Sequence, residues 1–400
     1  MFGWEYPPIH LGGLGVACQG LVRGLLRNGI DISLVLPHPN PQAAQELDII
    51  APTPEELERI IVTSNLKPYD SVEEYAHRIR AIESHEENQI YGEDLAQEIE
   101  NYTAMSIDLT KNVEADVIHC HDWMTYEAGI RASAHHKKPL VAHIHATELD
   151  RTHFHPNPWI YEKEKRGFLH ADNIIAVSNY TKEILTGHYG INPNKITVVH
   201  NGNNKTTAEL GGALRTEYRQ KRGPMILFLG RLTVQKGPNQ FLDMAAQVHK
   251  YRPDVHFVMA GDGHMLGELI HKTHALGLQD NVIFAGKVSN TEAQKLFAQA
   301  ECFVMPSLSE PFGLVALEAV AEGTPVVLSN QSGVGEVMNH ALKVDFWDTA
   351  KMADCVLTIL RENVLGSQLR SEASHILKTL TWENQAKQVR SLYHKILDRC

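Results

Sequence analysis

Short apolar runs alternate with amphipathic stretches along most of this chain. "DISLVLP" (31–37), "ADVIHC" (115–120), "PLVAHIHA" (139–146), "NIIAVS" (173–178) and "ITVVHN" (196–201) are apolar at successive positions, the mark of parallel strands covered on both faces. Helical patterns such as 14–28 and 181–188 lie between them. A second series follows: "MILFLG" (225–230), "HFVMAG" (256–261), "NVIFAG" (281–286), "ECFVMP" (301–306) and "TPVVLS" (324–329). Several of these end in Gly or Pro just before a helix. Repeated strand–helix–strand units predict an α/β fold of open, doubly wound parallel sheets with right-handed crossovers.

Two breaks interrupt the pattern. Residues 39–110 are polar, acidic and mostly helix-like ("TPEELERIIV", "SVEEYAHRIRAIE"), which predicts an insertion on the first domain. Residues 202–223 are polar and Gly-rich, which predicts an interdomain linker plus a flanking helix. The expected domains are therefore 1–203 and 204–380, with the ligand cleft between the C-terminal edges of their sheets.

Composition narrows the function classes. The 400 residues are 43% hydrophobic and 21% charged, as in a water-soluble globular protein, with a formal net charge of -11. An acidic chain is a poor general nucleic-acid binder, so any phosphate should be held at a local site. No apolar run reaches the length of a membrane span, and "MFGWEYPPIH" lacks a signal-peptide pattern. Five scattered cysteines without CxxC spacing fit a reducing, cytoplasmic setting.

Candidate chemistry gathers at strand ends. "HLGGLGVA" (10–17) opens a helix, and its glycines would let backbone approach an anion at that helix start; it is equally a tight strand-to-helix turn. "LGRLTVQKG" (229–237) places Arg231 and Lys236 on the loop after the second domain's first strand. In an acidic protein that pair suggests a diphosphate clamp, against ordinary surface charge as the plain alternative. The loops "MAGDGHML" (259–266) and "FAGKV" (284–288) read as backbone approaches to a nucleobase or as plain turns.

"SEPFGLVALEA" (309–319) sets Glu310 and Glu318 about a turn, with the helix expected to start near Gly313 and stop before Gly323. Continuous helix would part the two by roughly 12 Å. Carboxylates repel phosphate but accept hydrogen bonds from vicinal hydroxyls, while the Phe312, Gly313 and Leu314 amides suit the phosphate. The competing possibility is that Glu310 caps the helix and Glu318 is solvated.

Histidines number 23, many of them in "HCHDW" (119–123) and "HIHATELDRTHFH" (143–155). His-x-His on a strand puts both rings on one face, so zinc is a rival. Yet His143 and His145 have no Cys or His at structural-zinc spacing, and no metal is expected. One strand-end histidine aimed at the cleft is the simpler expectation.

Taken together, "GWEYPPIHLGGLG", "DVIHCHDW", "HATELDR", "AVSNYTKEIL", "LGRLTVQKG", "AGDG", "MPSLSEPFGLVALEA" and "GTPVV" resemble the retaining GT-B glycosyltransferases of family 4, with similarity to glycogen and starch synthases. The likeness runs from residue 3 to about 330, and "LTWENQAKQVRSLYHKIL" (380–397) looks like the closing helix such enzymes return to the first domain, which would add 381–400 to it. The resemblance implies a GT-B fold, two Rossmann-like domains facing across a cleft. It places Glu310 by the donor sugar with the Phe312–Leu314 backbone, and Glu318 on the donor ribose. Arg231 and Lys236 would neutralise the leaving diphosphate. Gly12 and Gly13 would approach phosphates and sugar, His145 would lie near the anomeric carbon, and Lys287 and Val288 would border the base. It also implies front-face transfer with retention and no bound metal or other cofactor. The chain departs from the pattern in a nearly missing first strand and in His10-Leu11 ahead of the paired glycines.

The expected function is transfer of a sugar, glucose first, from ADP- or UDP-glucose to a glycan acceptor such as an α-glucan. Alternatives are a GT-B epimerase, a hydrolase using Glu310 and Glu318 as an acid/base pair, or a non-catalytic nucleotide-sugar-binding protein. A hydrolase would need its carboxylates roughly 5–10 Å apart and would leave the cations without a purpose.

Overall fold

A computed structural model describes residues 1–7, 13–38, 40, 42–52, 93–204 and 211–398. Gly12 and the helix-like stretches expected at 53–62 and 71–83 lie outside these residues. The chain divides into two compact units: Met1–Leu149 with Phe154–Gly202 and Trp382–Cys400, and Asp150–His153 with Asn203–Thr381. Among the described residues, no helix is long and apolar enough to cross a membrane.

In the first unit, β1 (Ser33–Val35) pairs in parallel with β2 (Asp48–Ile50), a short strand within the segment expected to be helical. β3 (Ile118–His121), β4 (Leu140–Ile144), β5 (Asn173–Ala176) and β6 (Ile196–Val198) pair in that order, all parallel. Phe2 forms parallel bridges to both Val35 and Cys120. A single residue thus stands where the missing first strand was noted, and chain order reverses there.

The strand faces divide by residue. Cys120 points at the helix Trp123–His136, where a Cβ on Gly129 would come within 2.0 Å of its sulfur. His119 and His121, alternate residues of the same strand, take the opposite face. Tyr393, on the helix Trp382–Leu397, lies against that face. This last helix packs on Gly13–Arg27, where a side chain at Gly20 would meet the Trp382 ring at 2.2 Å.

The second unit holds β7 (Met225–Leu229), β8 (His256–Ala260), β9 (Val282–Gly286), β10 (Cys302–Met305), β11 (Val326–Ser329) and β12 (Leu342–Val344), in the order β12-β11-β10-β7-β8-β9. Every pairing is parallel. The inner strands β7 and β10 are apolar and almost wholly buried; Ile226, Phe257, Val304 and Val327 sit in one core with Phe241 and Val356. Order reverses between β7 and β10, the position where an open α/β sheet leaves a crevice at its carboxyl edge. The helix Gly211–Arg222 belongs to this unit: Arg215 is buried and donates to the carbonyls of Ala300 (2.5 Å) and Gly323 (2.8 Å).

Candidate active site

The loop after β7 is held from two sides. Toward β8, the Gly230 amide donates to Ala260 O (3.0 Å) and the Leu232 amide to Asp262 O (2.9 Å). Gly261 has φ 139° and touches this loop so closely that a Cβ would lie 1.9 Å from Gly230 O. The loop–loop packing alone therefore requires a glycine there. Toward β10, the Leu308 amide donates to Gln235 O (2.8 Å) and Gln235 Nε2 to Ser309 O (3.1 Å). Ser309 Oγ in turn donates to Asp150 Oδ1 (2.5 Å), and both side chains are fully buried.

These locks bring Lys236 Nζ to 2.7 Å from Glu310 Oε2, across 74 residues of sequence. The side chains are 21% and 8% exposed, so water screens the pair only partly. Ser307 Oγ donates to the same Oε2 at 3.2 Å. The Glu310 backbone bridges to the segment after β11: its amide donates to Gln331 O, and its carbonyl accepts from the Gly333 amide, both at 2.9 Å. The helix Leu314–Ala321 begins after Gly313, its N-cap at φ 106°, and no side chain caps it. Glu310 is thus neither a cap nor a solvated acid; it is a buried, charge-paired one.

The other expected residues of this unit lie at the same carboxyl edge. Arg231 is half-buried on the β7 loop, Phe312 is buried, and Leu314 and Glu318 are half-buried on the short helix. Lys287 is exposed and Val288 half-buried in the turn after β9.

In the first unit, Gly13 opens the helix Gly13–Arg27. His145 follows β4, with its amide donating to Asp122 Oδ1 at 2.7 Å. Asp122, after β3, adopts the left-handed φ of 60° that this turn needs.

His145 also completes a face of four imidazoles. Register sets His121 of β3 beside His143 of β4. His119 Nε2 and His143 Nδ1 are 3.2 Å apart, His121 Nδ1 and His145 Nε2 3.0 Å, and His119 Nδ1 is 2.5 Å from the Tyr393 hydroxyl. The rings of His119 and His121 stack at 4.6 Å, those of His143 and His145 at 4.3 Å. Burial holds His119, His121 and His143 well below the ordinary imidazole value, with repulsion from neighbouring positive groups adding to it. Burial brings His145 down to about 3. All four are neutral near pH 7. Spacing along the chain shows no partners for His143 and His145 because those partners sit 24 residues upstream, on the neighbouring strand.

Comparison with known proteins settles the family. Residues 214–373 match the model of the glycosyl transferases group 1, and residues 11–205 that of glycosyltransferase family 4. A Methanocaldococcus jannaschii protein named as a glycosyltransferase is 30% identical, over 98% of this chain and 97% of its own. The chain belongs to the group 1 glycosyltransferases. Glycogen synthase of Mycobacterium tuberculosis is similar to this glycosyltransferase at 27% identity, over 98% of this chain and 93% of its own. Among solved structures, sucrose-phosphate synthase from Thermosynechococcus elongatus matches with a TM-score of 0.73 at 17% identity, covering 100% of this chain and 96% of that one. Anabaena HepE in complex with UDP and glucose matches with a TM-score of 0.70 at 18% identity, covering 98% and 99%. The fold is GT-B, with a Rossmann-like sheet in each unit, and the enzyme is a hexosyltransferase.

Proposed function

We propose that this glycosyltransferase moves glucose from ADP- or UDP-glucose to a glycan acceptor of the α-glucan kind, retaining anomeric configuration. The Lys236–Glu310 pair at the strand-order reversal of the second unit carries the proposal. A nucleotide sugar presents a diphosphate beside a polyol. An ammonium has three N–H donors, and Glu310 takes one; the other two suit diphosphate oxygens. Among the described residues, both hydrogen bonds to the Glu310 side chain fall on Oε2, and Oε1 is assigned to accept from a sugar hydroxyl. Arg231 adds a second cation on the same loop, and Glu318 is assigned to the ribose.

Donors fixed in advance at the leaving diphosphate stabilise charge as it develops, which is catalysis without a protein nucleophile. We assign the charge compensation at the diphosphate to Arg231 and Lys236, with no metal needed for that step. Phe312, Gly313 and Leu314 supply backbone at the helix start. Lys287 and Val288 border the base; His145, Gly12 and Gly13 keep the roles given by the family resemblance. Support for the donor class comes from Anabaena HepE, which is described in complex with UDP-glucose, and for the acceptor from the glycogen synthase of Mycobacterium tuberculosis.

The test is turnover. The purified chain is given ADP-, UDP- or GDP-glucose with a soluble α-glucan, and nucleotide release and product anomer are followed. Release of ADP or UDP together with an α-linked product supports the proposal, and release of GDP alone or a β-linked product overturns it. Release without a glycosylated product, or no release from any donor, overturns it.

A further inference from the structure

The histidine face of the first unit holds more buried ring nitrogen than a hydrogen-bonded core can use. Among the described residues, His121 Nε2 is buried without a hydrogen-bond partner. An unsatisfied polar atom in such a place costs about 1–3 kcal/mol. The same strand positions would take Val or Ile without that cost. One ring nitrogen from each of His119, His121 and His143 lies within 4.8 Å of the others.

We propose that His119, His121 and His143, with one water molecule, bind one late first-row transition-metal ion of the zinc class, which clamps β3 to β4. A tetrahedral ion with bonds of about 2.0–2.1 Å keeps its ligands roughly 3.3 Å apart. His119 Nε2 and His143 Nδ1 already stand at 3.2 Å, so an ion fits between them once the proton they share shifts to the far nitrogen of its own ring. His121 then turns its unpartnered Nε2 to the ion. The donor set is all imidazole, without thiolate or ligating carboxylate, which selects zinc, nickel, cobalt or copper over magnesium and calcium.

The surrounding groups fit ligand support. Tyr393 Oη lies 2.5 Å from His119 Nδ1, where it can accept the N–H left on that ring once Nε2 binds. His145 Nε2 lies 3.0 Å from His121 Nδ1 and accepts in the same way. Such second partners fix tautomer and ring orientation in metal sites. The ion would thereby also orient His145, a positioning effect separate from charge compensation at the diphosphate.

The untagged full chain is stripped with chelator, loaded with Zn2+, desalted and assayed for bound metal; Co2+ loading is followed in the visible spectrum. The expected result is close to one zinc per chain and the intense visible bands of four-coordinate cobalt. His119→Gln and His143→Gln should each hold less than a tenth of that zinc. His135→Gln/His170→Gln, at two exposed histidines, should hold all of it. Wild type without stoichiometric zinc and without the four-coordinate bands overturns the proposal, as does full zinc in both folded ladder variants. If those variants fail to fold, the wild-type cobalt spectrum decides alone.

Discussion

The two units solve one topological problem with different chemistry. Each has a parallel sheet whose chain order reverses near its middle, at Phe2 in the first and between β7 and β10 in the second. At the second unit's reversal, loops are laced by backbone bonds around a charged pair, Lys236 and Glu310. At the first unit's, β3 carries two neutral imidazoles that meet one from β4 and one from the residue just after it. One site is prepared to meet anionic charge; the other gathers neutral imidazoles. A shared fold says where a ligand goes, and the residues at the strand ends say which one.

The widest gap between the units should appear on removing charge. Lys236→Ala and Glu310→Ala are each expected to cut transfer about 100- to 1,000-fold, as losing a fixed transition-state donor does elsewhere, with the circular dichroism spectrum unchanged. Steady-state rates measure this, and normal rates in both variants would break the assignment of chemistry to the second unit.

Acid should separate the units next. In chelator-treated protein the buried imidazoles of His119, His121 and His143 titrate below the ordinary value of 6.5, and that of half-buried His145 near 3. The unfolded chain therefore takes up protons first as pH falls. Stability should be flat above about pH 6.5 and decline below it, by up to about 1.4 kcal/mol per pH unit for each imidazole. Urea midpoints at pH 7.5, 6.5 and 5.5 read the slope, and a constant midpoint would contradict it.

Smaller effects sharpen the comparison. Gly20→Val drives a side chain into Trp382 and should cost about 1–3 kcal/mol in the first unit, seen as a lower urea midpoint. Ser307→Ala removes one of two hydrogen bonds on Glu310 Oε2 and should cost about 1 kcal/mol, roughly a five-fold loss in kcat/KM.

The strand pattern is legible where both sheet faces are covered, which leaves inner strands such as β7 and β10 an uninterrupted apolar run. β2 and β12 escaped notice since "DII" and "LKV" are three residues long and partly exposed, too short to show a period. Glu310 and Lys236 could be picked out by type and by position after strands. Their direct contact could not, because it depends on how the β7 and β10 loops lace together. The four-histidine face is the sharpest case. Local spacing tests for metal sites count along the chain, and this cluster is made by strand register. Alternate positions in "HCH" and "HIH" told which rings share a face, but not that the two strands are neighbours.

The central claim is that a nucleoside diphosphate sugar binds the second unit through Lys236. Its most direct test is a thermal-shift comparison of wild type and Lys236→Ala with ADP, UDP, GDP and their glucose conjugates. At 100 times its dissociation constant, a ligand adds about 2.7 kcal/mol to the folded state. One nucleotide family should raise the wild-type melting temperature clearly and leave the variant almost unmoved. Equal shifts in both proteins, or none with any nucleotide, would contradict the account.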